Sequence, residues 1–313
     1  MEKPILAVTL NPCVDRSIFV KHLACRGIIQ GTKSTVVAGG KGLNVARLAR
    51  KFGVQMDSFT ILGGETGQLI ARTSLQRDGI EQIAFWTRAP SREVVTVVEE
   101  GTFRQVAFKE PGPEILPEEK HRILERIRSM LPRYEMILLM GSAPCESMED
   151  VYASLVESCR AAGKHALLDS SGEALKKALE ARPFLAKSNA AEAAYVVGRK
   201  PETDGDFLEA LDFYAECGVS IAILTSGKDG AFIHWKGKRW RALPPAIRAV
   251  NPIASGDSMM CGIAIGLLNG MSPQNCIRLG MACAAANAEI WEPANCSKER
   301  VYRLMPQVKL TRL

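Results

Sequence analysis

Short apolar runs alternate with amphipathic stretches along most of the chain, and this alternation predicts the order of strands and helices. The apolar runs are typical of buried strands; they occur at Ile5–Leu10, Ser58–Leu62, Met136–Met140, Ala166–Asp169 and Ile221–Thr225. A first helix, closed by Gly53, is indicated by apolar residues at helical spacing: Val45, Leu48, Ala49 and Phe52. Further helices are predicted at Glu65–Arg77, Ser147–Ala162 and Glu173–Ala181. Such alternation predicts a mostly parallel sheet with helices on both faces.

Two regions interrupt this alternation, because they contain strand-like segments without intervening helices. They span residues 12–37 and 83–110, and their strand-like segments are Ser17–Val20, Val94–Val98 and Gln105–Phe108. These segments predict a small antiparallel sheet beside the main one, placed as a lid. A proline-rich stretch from Pro111 to Pro117 then leads into a helix predicted at 118–131. Since the chain has no long linker or repeat, residues 1–313 are expected to form a single domain.

Composition and charge exclude several classes of protein. Of the 313 residues, 47% are hydrophobic and 24% are charged, which excludes a disordered chain. The net charge of +6 is spread along the whole chain, so it suits a small anionic substrate and not a nucleic acid, which needs a clustered basic face. No apolar run approaches the ~18 residues of a membrane span. The chain also begins without a signal-peptide pattern, so we expect a cytoplasmic protein without membrane association.

Cysteine and histidine positions give no support for a structural metal or a disulfide scaffold. The nine cysteines are odd in number and contain no C-x-x-C pair. The four histidines share no ligand spacing. Reduced, mostly buried thiols in the cytoplasm are therefore expected.

Three glycine-centred segments combine flexible backbone with polar side chains: Ala38–Asn44, Asn251–Ser258 and Thr225–Gly230. Each is predicted where a strand ends or a helix begins, which is where open α/β sheets bind ligands. In the first segment, backbone amides can approach a polar ligand while Lys41 and Asn44 add side-chain donors. The second segment offers an anion cradle beside Asp257 as a base. Taken alone, each segment also has a simpler interpretation. Ala38–Asn44 would be a flexible turn, Asp257 would be the N-cap of the following helix, and Thr225–Gly230 would be a hairpin turn.

Several common catalytic motifs are missing from the sequence. There is no G-x-x-x-x-G-K-[ST], which argues against an ordinary P-loop nucleotidase. There is no G-x-G-x-x-G after the first strand, which argues against a dinucleotide-binding fold. G-x-S-x-G and H-E-x-x-H are also absent, which removes the usual hydrolase-elbow and zincin interpretations.

In order along the chain, the segments resemble the phosphofructokinase-B branch of the ribokinase-like sugar kinases. The matching motifs are Thr9–Pro12 with Asp15, Ala38–Arg47, Leu62–Gly67, Glu110–Pro113, Gly141–Ser142, Asp169–Leu175, Lys187–Asn189 with Glu192, and Ala254–Asp257. The resemblance covers essentially the whole chain. It implies a ribokinase-like fold, in which three α/β/α layers surround a doubly wound, mostly parallel sheet with a small β-sheet lid.

The resemblance also implies roles for the sugar side of the site. Asp257 is the expected base that takes the proton from the attacking sugar hydroxyl, and the amides of Ala254, Ser255 and Gly256 help to form the anion hole. The residues expected to contact the sugar phosphate are Asp15, Gly39, Gly40, Lys41, Asn44, Arg92 and Ser142. Among these, Lys41 and Arg92 are expected to meet the phosphate already on the sugar.

The nucleotide side is implied in the same way, with ATP as phosphoryl donor and Mg²⁺ as the metal. The expected nucleotide-binding residues are Lys187, Asn189, Thr225, Ser226, Gly227, Gly230 and Asn287. Asn189 and Glu192 resemble the pair that organises Mg²⁺ through its waters. The family analogy further implies a homodimer formed through the lid.

Four departures from the family pattern affect these expectations. Ala254 replaces the first glycine of the anion hole; its Cβ would crowd the γ-phosphate, or be harmless if its φ is negative. Ser188 stands in place of proline, and Ala143-Pro144-Cys145 replaces the usual loop. Val94 stands where many members have asparagine.

The function implied is an ATP-dependent kinase that phosphorylates a ketohexose monophosphate, either fructose 1-phosphate or tagatose 6-phosphate, to the bisphosphate. A 6-phosphofructokinase or another sugar kinase of the family is an alternative. A non-catalytic sensor of sugar phosphates or nucleotides is the alternative from another class.

Overall fold

A computed structural model describes residues 5–24 and 26–313. The strands are β1 Ile5–Thr9, β2 Cys13–Val20, β3 Gly31–Gly39, β4 Met56–Gly63, β5 Gln82–Thr87, β6 Arg92–Glu99, β7 Gln105–Lys109, β8 Met136–Met140, β9 His165–Asp169, β10 Leu185–Asn189, β11 Ile221–Thr225, β12 Ala231–Trp235, β13 Lys238–Leu243 and β14 Lys309–Arg312. The helices are α1 Lys41–Lys51, α2 Gly64–Thr73, α3 Pro117–Met130, α4 Val151–Ala161, α5 Gly172–Glu180, α6 Ala190–Val197, α7 Asp204–Glu216, α8 Ser255–Leu268, α9 Pro273–Ala288 and α10 Lys298–Leu304. Cys25, one of the nine cysteines, lies outside the described residues.

The main sheet of the described chain has ten strands in the order β14-β13-β12-β11-β10-β9-β8-β1-β4-β5. The seven strands from β11 to β5 run parallel, whereas β12, β13 and β14 continue the sheet antiparallel. The predicted mostly parallel sheet is therefore confirmed, and the strands at Met136–Met140 and Ile221–Thr225 have the predicted bounds.

Helices cover both faces of this sheet, and the alternation of residues in β1 shows why. Ile5 and Ala7 belong to a core shared with α1, α8, α9 and α10, while Leu6 and Val8 belong to a second core shared with α3, α4, α5 and α7. Successive side chains of a strand point to opposite faces. A strand buried on both sides therefore has a continuous apolar sequence, as β1 does. In the described residues, no helix is both long and apolar enough to cross a membrane.

The small sheet has the order β3-β2-β6-β7 and differs from the expected lid in two respects. First, its central pair β2 and β6 is parallel, although the outer pairs are antiparallel as predicted. Second, β5 pairs with β4 in the main sheet, so the part of the small sheet expected at 83–110 begins only at Arg92. An alternating apolar pattern gives neither the direction of a strand nor its partner, and this is why both features escaped the sequence analysis.

Aromatic contacts hold the small sheet against the loop that follows α9. The ring of Trp291 packs edge-on against Phe19 with centroids 5.1 Å apart and stacks on Phe103 at 6.0 Å. A cavity of about 440 Å³ lies beside this contact, between the small sheet and the segments around residues 251–253 and 290–295, and Asp15 lines it. The space between the lid and these segments is therefore large enough for a small molecule.

Candidate active site

The proposed base, Asp257, lies in the first turn of α8 and is only 6% exposed. Its Oδ2 accepts a hydrogen bond of 2.8 Å from the side-chain amide of Asn44 on α1. The helix begins at Ser255, whereas the sequence predicted it only from Met259, because the small polar residues before that point have no apolar periodicity. The N-cap position is taken by Ala254, so the interpretation of Asp257 as an N-cap is wrong.

Two lysines share one buried carboxylate at the carboxyl ends of the central strands. The Nζ of Lys41 lies 2.5 Å from Oδ1 of Asp169 and 3.1 Å from Oε1 of Glu192. The Nζ of Lys187 lies 2.7 Å from the other oxygen of Asp169. Asp169, predicted only as part of a motif, thus holds both lysines in place.

These charges act on the proposed base from several sides. Burial raises the pKa of Asp257 to about 6, and the nearby carboxylate of Asp169 adds to the rise, while Lys41, the hydrogen bond from Asn44 and Lys187 oppose it. A carboxylate with such a pKa is ionised at neutral pH and still a useful proton acceptor. Burial alone would raise the pKa of Asp169, but Lys187 and Lys41 hold it below its usual value.

The loop that leads into α8 adopts a conformation that favours glycine. Ala254 has φ 63° and ψ 9°, in the left-handed region. The alternative in which a negative φ makes this alanine harmless is therefore wrong; an alanine in this region is strained by about 1–2 kcal/mol. Two buried asparagines brace the loop: Asn251 donates to the carbonyl of Trp291 at 2.8 Å, and Asn287 donates to the carbonyl of Ile253 at 2.7 Å.

Glycines allow close approaches at both helix starts. A Cβ on Gly256 would lie 2.8 Å from Nζ of Lys187, so glycine at this position leaves room for the lysine at the start of α8. Gly40 has φ 137° between β3 and α1, and a Cβ on Gly42 would lie 2.2 Å from Oγ1 of Thr9. Gly39, the first glycine of this segment, ends β3 beside the β2 strand that carries Asp15. The glycine-rich segment thus brings Lys41 and Asn44 close to the end of β1.

Arg92 and Asp15 lie on adjacent parallel strands of the small sheet, and Asp15 lines the cavity. In this sheet Cys13 is in register with Arg92, and Asp15 is in register with Val94. Arg92 donates to the carbonyl of Asn11 at 3.3 Å, and the amide of Asn11 donates to Ser142 at 3.1 Å. These contacts bring Arg92 and Ser142 to the same side of the site, at the end of β1.

Several buried polar atoms near this point have no hydrogen-bond partner among the described residues. They are Oγ1 of Thr9, Oδ1 of Asn11, Nε of Arg92 and Oγ of Ser170. Buried polar atoms are normally paired. A concentration of unpaired polar atoms at the carboxyl ends of β1 and β9, and at the start of β6, suits the binding of a polar ligand.

The motif Leu62–Gly67 has a structural task that explains its resemblance to the family. The N–H of Gly63 donates to the hydroxyl of Ser91 at 3.0 Å, and the N–H of Ser91 donates to the carbonyl of Gly63 at 2.9 Å. The hydroxyl of Thr66 donates to the carbonyl of Ser91 at 2.6 Å. Because Arg92 follows Ser91, this loop sets the position at which the small sheet presents its arginine.

The nucleotide-side residues surround the ends of β10 and β11. Asn189 is in register with Thr225, and the turn after Thr225 continues through Ser226, Gly227 and Gly230 into the antiparallel strand β12. The segment Thr225–Gly230 is thus a hairpin turn, as its simpler interpretation predicted. It also lies beside β10, the neighbouring strand that carries Lys187.

Asn287 has a different environment from these residues, since it is completely buried. Besides Ile253, its amide donates to Ser255 at 3.1 Å, and its oxygen accepts from the N–H of Ala294 at 2.7 Å. These hydrogen bonds of Asn287 thus hold the loop before α8 in place. Its contact with adenine stays a prediction.

The pair Asn189 and Glu192 forms a capping box at the start of α6. The oxygen of Asn189 accepts from the N–H groups of Ala191 and Glu192, both at 2.9 Å, and Oε2 of Glu192 accepts from the N–H of Asn189 at 2.8 Å. Within residues 5–24 and 26–313, His, Cys, Asp and Glu form no cluster of three or more that could hold a metal. The role of this pair toward Mg²⁺ stays a prediction.

Comparison with known proteins adds independent findings. A family model described as the pfkB family of carbohydrate kinases matches residues 8–299. A 1-phosphofructokinase from Bacillus subtilis is 30% identical over 309 residues, covering 99% of this chain and all of that protein.

Solved structures share the fold over nearly the whole length. That of a possible 1-phosphofructokinase from Thermotoga maritima has a TM-score of 0.90 at 20% identity and covers 99% of both chains. A structure of phosphofructokinase-2 from Escherichia coli with fructose 6-phosphate has a TM-score of 0.87 at 22% identity, covering 97% of this chain and 98% of that one. At these identities the structures support the fold alone.

A ribokinase-like α/β fold with a small second sheet, together with the family match and the curated relative, indicates a phosphotransferase with a hydroxyl group as acceptor. The family match and the curated relative make the assignment specific: the chain belongs to the pfkB family of carbohydrate kinases. Membership of this family implies ATP as the co-substrate.

Proposed function

We propose that this kinase transfers the γ-phosphoryl group of ATP to fructose 1-phosphate and forms fructose 1,6-bisphosphate. The observation that carries the choice of sugar is the 30% identity to a 1-phosphofructokinase over 99% of the chain. Tagatose 6-phosphate, a ketohexose monophosphate of similar size and charge, is the second candidate, because the G-G-K-G segment and Asn251-Pro252-Ile253 also resemble kinases of that sugar.

The chemistry follows from the place of Asp257 at the start of α8. Its carboxylate takes the proton from the attacking hydroxyl, while the N–H groups of Ser255 and Gly256 face the transferring group at the positive end of the helix dipole. Lys187 lies against Gly256 and adds a positive charge at the same point. Phosphoryl transfer depends mainly on such positioning and electrostatic stabilisation.

Arg92 is the residue we assign to the phosphate already present on the sugar. Its guanidinium lies beside Asn11, and its Nε is buried without a partner. A planar guanidinium suits a phosphate by bidentate hydrogen bonding. We assign Asp15, Asn44 and Ser142 to the sugar hydroxyls, which their polar side chains suit, while Gly39 and Gly40 leave room for the sugar.

Mg²⁺ is a further part of the proposal. Glu192 has a side chain 14% exposed and uses one lone pair of each carboxylate oxygen for Lys41 and Asn189, so two lone pairs remain for water molecules on a metal. Asn189 and Glu192 would hold Mg²⁺ through these waters, as suits a hard cation that keeps part of its hydration. The bound ion would neutralise charge on the β- and γ-phosphates of ATP.

We further propose a cytoplasmic homodimer that forms through the lid. The edge strand β7 exposes Val106 and Phe108, with relative exposures of 44% and 64%. An apolar edge strand of this kind invites pairing with a second copy. Light scattering should therefore show a dimer for the native chain and a monomer for Phe108→Glu.

A panel of acceptors tests the proposed function. Purified protein with ATP is given fructose 1-phosphate, tagatose 6-phosphate, fructose 6-phosphate or fructose, each with and without Mg²⁺, and products are identified by phosphorus-31 NMR. The proposal predicts the highest kcat/KM for fructose 1-phosphate and dependence on Mg²⁺. Binding of sugar phosphates without transfer to any of them would favour the sensor and contradict the proposal. Asp257→Asn serves as the control for contaminating kinases.

A further inference from the structure

A buried ion pair lies directly behind the proposed base. Arg47 on α1 and Asp78 approach within 2.8 Å, and their side chains are only 5% and 6% exposed. The terminal nitrogens of Arg47 also donate to the carbonyls of Ala38 at 2.8 Å and Pro293 at 3.3 Å. Buried charges need such partners, and these contacts fix the guanidinium in one position.

One further contact of Arg47 is with Asn44, the residue that holds Asp257. Nη1 of Arg47 donates to Oδ1 of Asn44 at 2.9 Å, and Nδ2 of Asn44 donates to Oδ2 of Asp257 at 2.8 Å. An arginine can only donate, so the end of the amide that faces it must be the oxygen. The opposite orientation would place two donors against each other at Arg47 and two acceptors against each other at Asp257.

We propose that Arg47 and Asp78 are positioning residues, which orient the amide of Asn44 so that its N–H₂ group always faces the carboxylate of Asp257. The chain of contacts runs from Asp78 through Arg47 and Asn44 to the base, and neither Arg47 nor Asp78 touches the reacting atoms. This inference rests on the proposed role of Asp257.

The consequence for the base has a definite sign. A hydrogen bond to the charged form favours that form, so the bond from Asn44 lowers the pKa of Asp257. Loss of the fixed amide should therefore raise this pKa and move the acidic limb of the pH profile of kcat upward. The charges of Lys41, Asp169 and Lys187 also affect the pKa of Asp257. None of these three residues contacts Arg47 in the described structure. The charge of Arg47 also lowers the pKa of Asp15.

A double-mutant cycle tests the proposal. Arg47→Met alone would leave Asp78 as an unpaired buried charge and could unfold the protein, so the main variant is Arg47→Met with Asp78→Leu, which replaces both charges by apolar groups of similar volume. We expect a fall in kcat of roughly tenfold at pH 6 and of about threefold at pH 8, because a pKa raised by about one unit leaves less of Asp257 ionised at pH 6 but hardly affects its ionisation at pH 8. The KM for ATP should stay within about twofold of the native value.

The decisive arm repeats the pair of substitutions in an Asn44→Ala background. If Arg47 acts through the amide, removing the pair there should change kcat and its pH profile by less than about twofold, because coupled residues are not additive. Equal effects in both backgrounds would overturn the proposal and indicate general loosening of the loops. A matched control, Arg239→Met with Asp212→Leu, removes an ion pair between β13 and α7 and should leave the pH profile unchanged.

A second readout separates this inference from the proposed function. Carbon-13 NMR of labelled aspartate, assigned with Asp257→Asn, follows the titration of Asp257 without any turnover. The pKa of Asp257 should rise by about one unit in the variant with Arg47→Met and Asp78→Leu. In the Asn44→Ala background, the same two substitutions should leave this pKa unchanged. An unchanged pKa would overturn the positioning role, whereas a native chain inactive on every sugar would overturn only the proposed function.

Discussion

The two cations expected to bind the phosphate of the sugar, Lys41 and Arg92, differ in how their charge is balanced. Lys41 lies between two carboxylates, Asp169 and Glu192, and these raise its pKa although burial acts against it. Arg92 has no carboxylate within ion-pair distance in the described residues and donates only to a backbone carbonyl.

This difference divides the site into two parts with different tasks. The part around Asp169 is an electrostatic network whose charges compensate each other before any ligand binds. The part on the lid holds a cation whose compensating anion must come from the ligand. We therefore expect Lys41 to contribute mainly to the order of the site and Arg92 mainly to the recognition of the sugar phosphate.

The largest expected effect is at the base itself. Asp257→Asn should lower kcat by about 10²–10⁴-fold with ATP binding retained, because general-base assistance is lost. Burial raises the pKa of Asp257 from 3.8 to about 6, so the cost of its charge to the stability of the fold grows as the pH rises between these values and is complete above about 6. The same variant should thus be more stable than the native chain at pH 8, by about 1–3 kcal/mol. A fall in kcat of less than tenfold would remove Asp257 from the role of base.

The lid cation should have the next largest effect. Arg92→Ala should lower kcat/KM for the sugar phosphate by about 10–100-fold, with ATP affinity nearly unchanged, because a charge-assisted contact to the phosphate is lost. The activity on free fructose should hardly change in this variant. An equal loss on both sugars would mean that Arg92 supports the lid and does not bind the phosphate.

Lys41→Met tests the other cation of the comparison. It leaves Asp169 with Lys187 alone, so we expect a loss of about 2 kcal/mol in the free energy of unfolding, reduced from the value for a fully buried pair because Lys41 is partly exposed. Urea denaturation of Lys41→Met and Arg92→Ala, measured together, checks this. The comparison fails if Arg92→Ala proves the more destabilising of the two.

The smallest expected effect concerns Ala254. Ala254→Gly relieves the left-handed backbone of the anion-hole loop, but glycine also gains freedom in the unfolded chain, so the net gain is roughly 0.5 kcal/mol. The kcat should be equal to or higher than that of the native enzyme. A large loss of kcat would show that the loop depends on the methyl group.

Sequence patterns predicted the parts of the molecule that depend on local periodicity. The strands at Met136–Met140 and Ile221–Thr225 are buried on both faces, so their apolar runs coincide with the strands. The start of α8 at Ser255 could not be predicted in this way, since the small polar residues before Met259 have no apolar periodicity. Recognition of the family motifs supplied the candidate residues that periodicity alone could not.

The contacts that organise the site come from residues far apart in the chain. Lys41 and Asp169 are 128 positions apart, and Asn44 and Asp257 are 213 apart. Arg47 lies within a recognised motif, but its partner Asp78 lies in a π-helical turn outside any motif. Pairings of this kind arise from the order of the strands, which a hydrophobic pattern does not contain.

The ratio of kcat/KM for fructose 1-phosphate to that for free fructose tests the central claim most directly. If the unbalanced cation of the lid, Arg92, binds the phosphate of the sugar, the ratio for the native enzyme should be about 10–100-fold. The ratio should fall toward one in Arg92→Ala and remain high in Lys41→Met, even if the latter is less stable. Equal values of kcat/KM for the two sugars in the native enzyme would contradict the account.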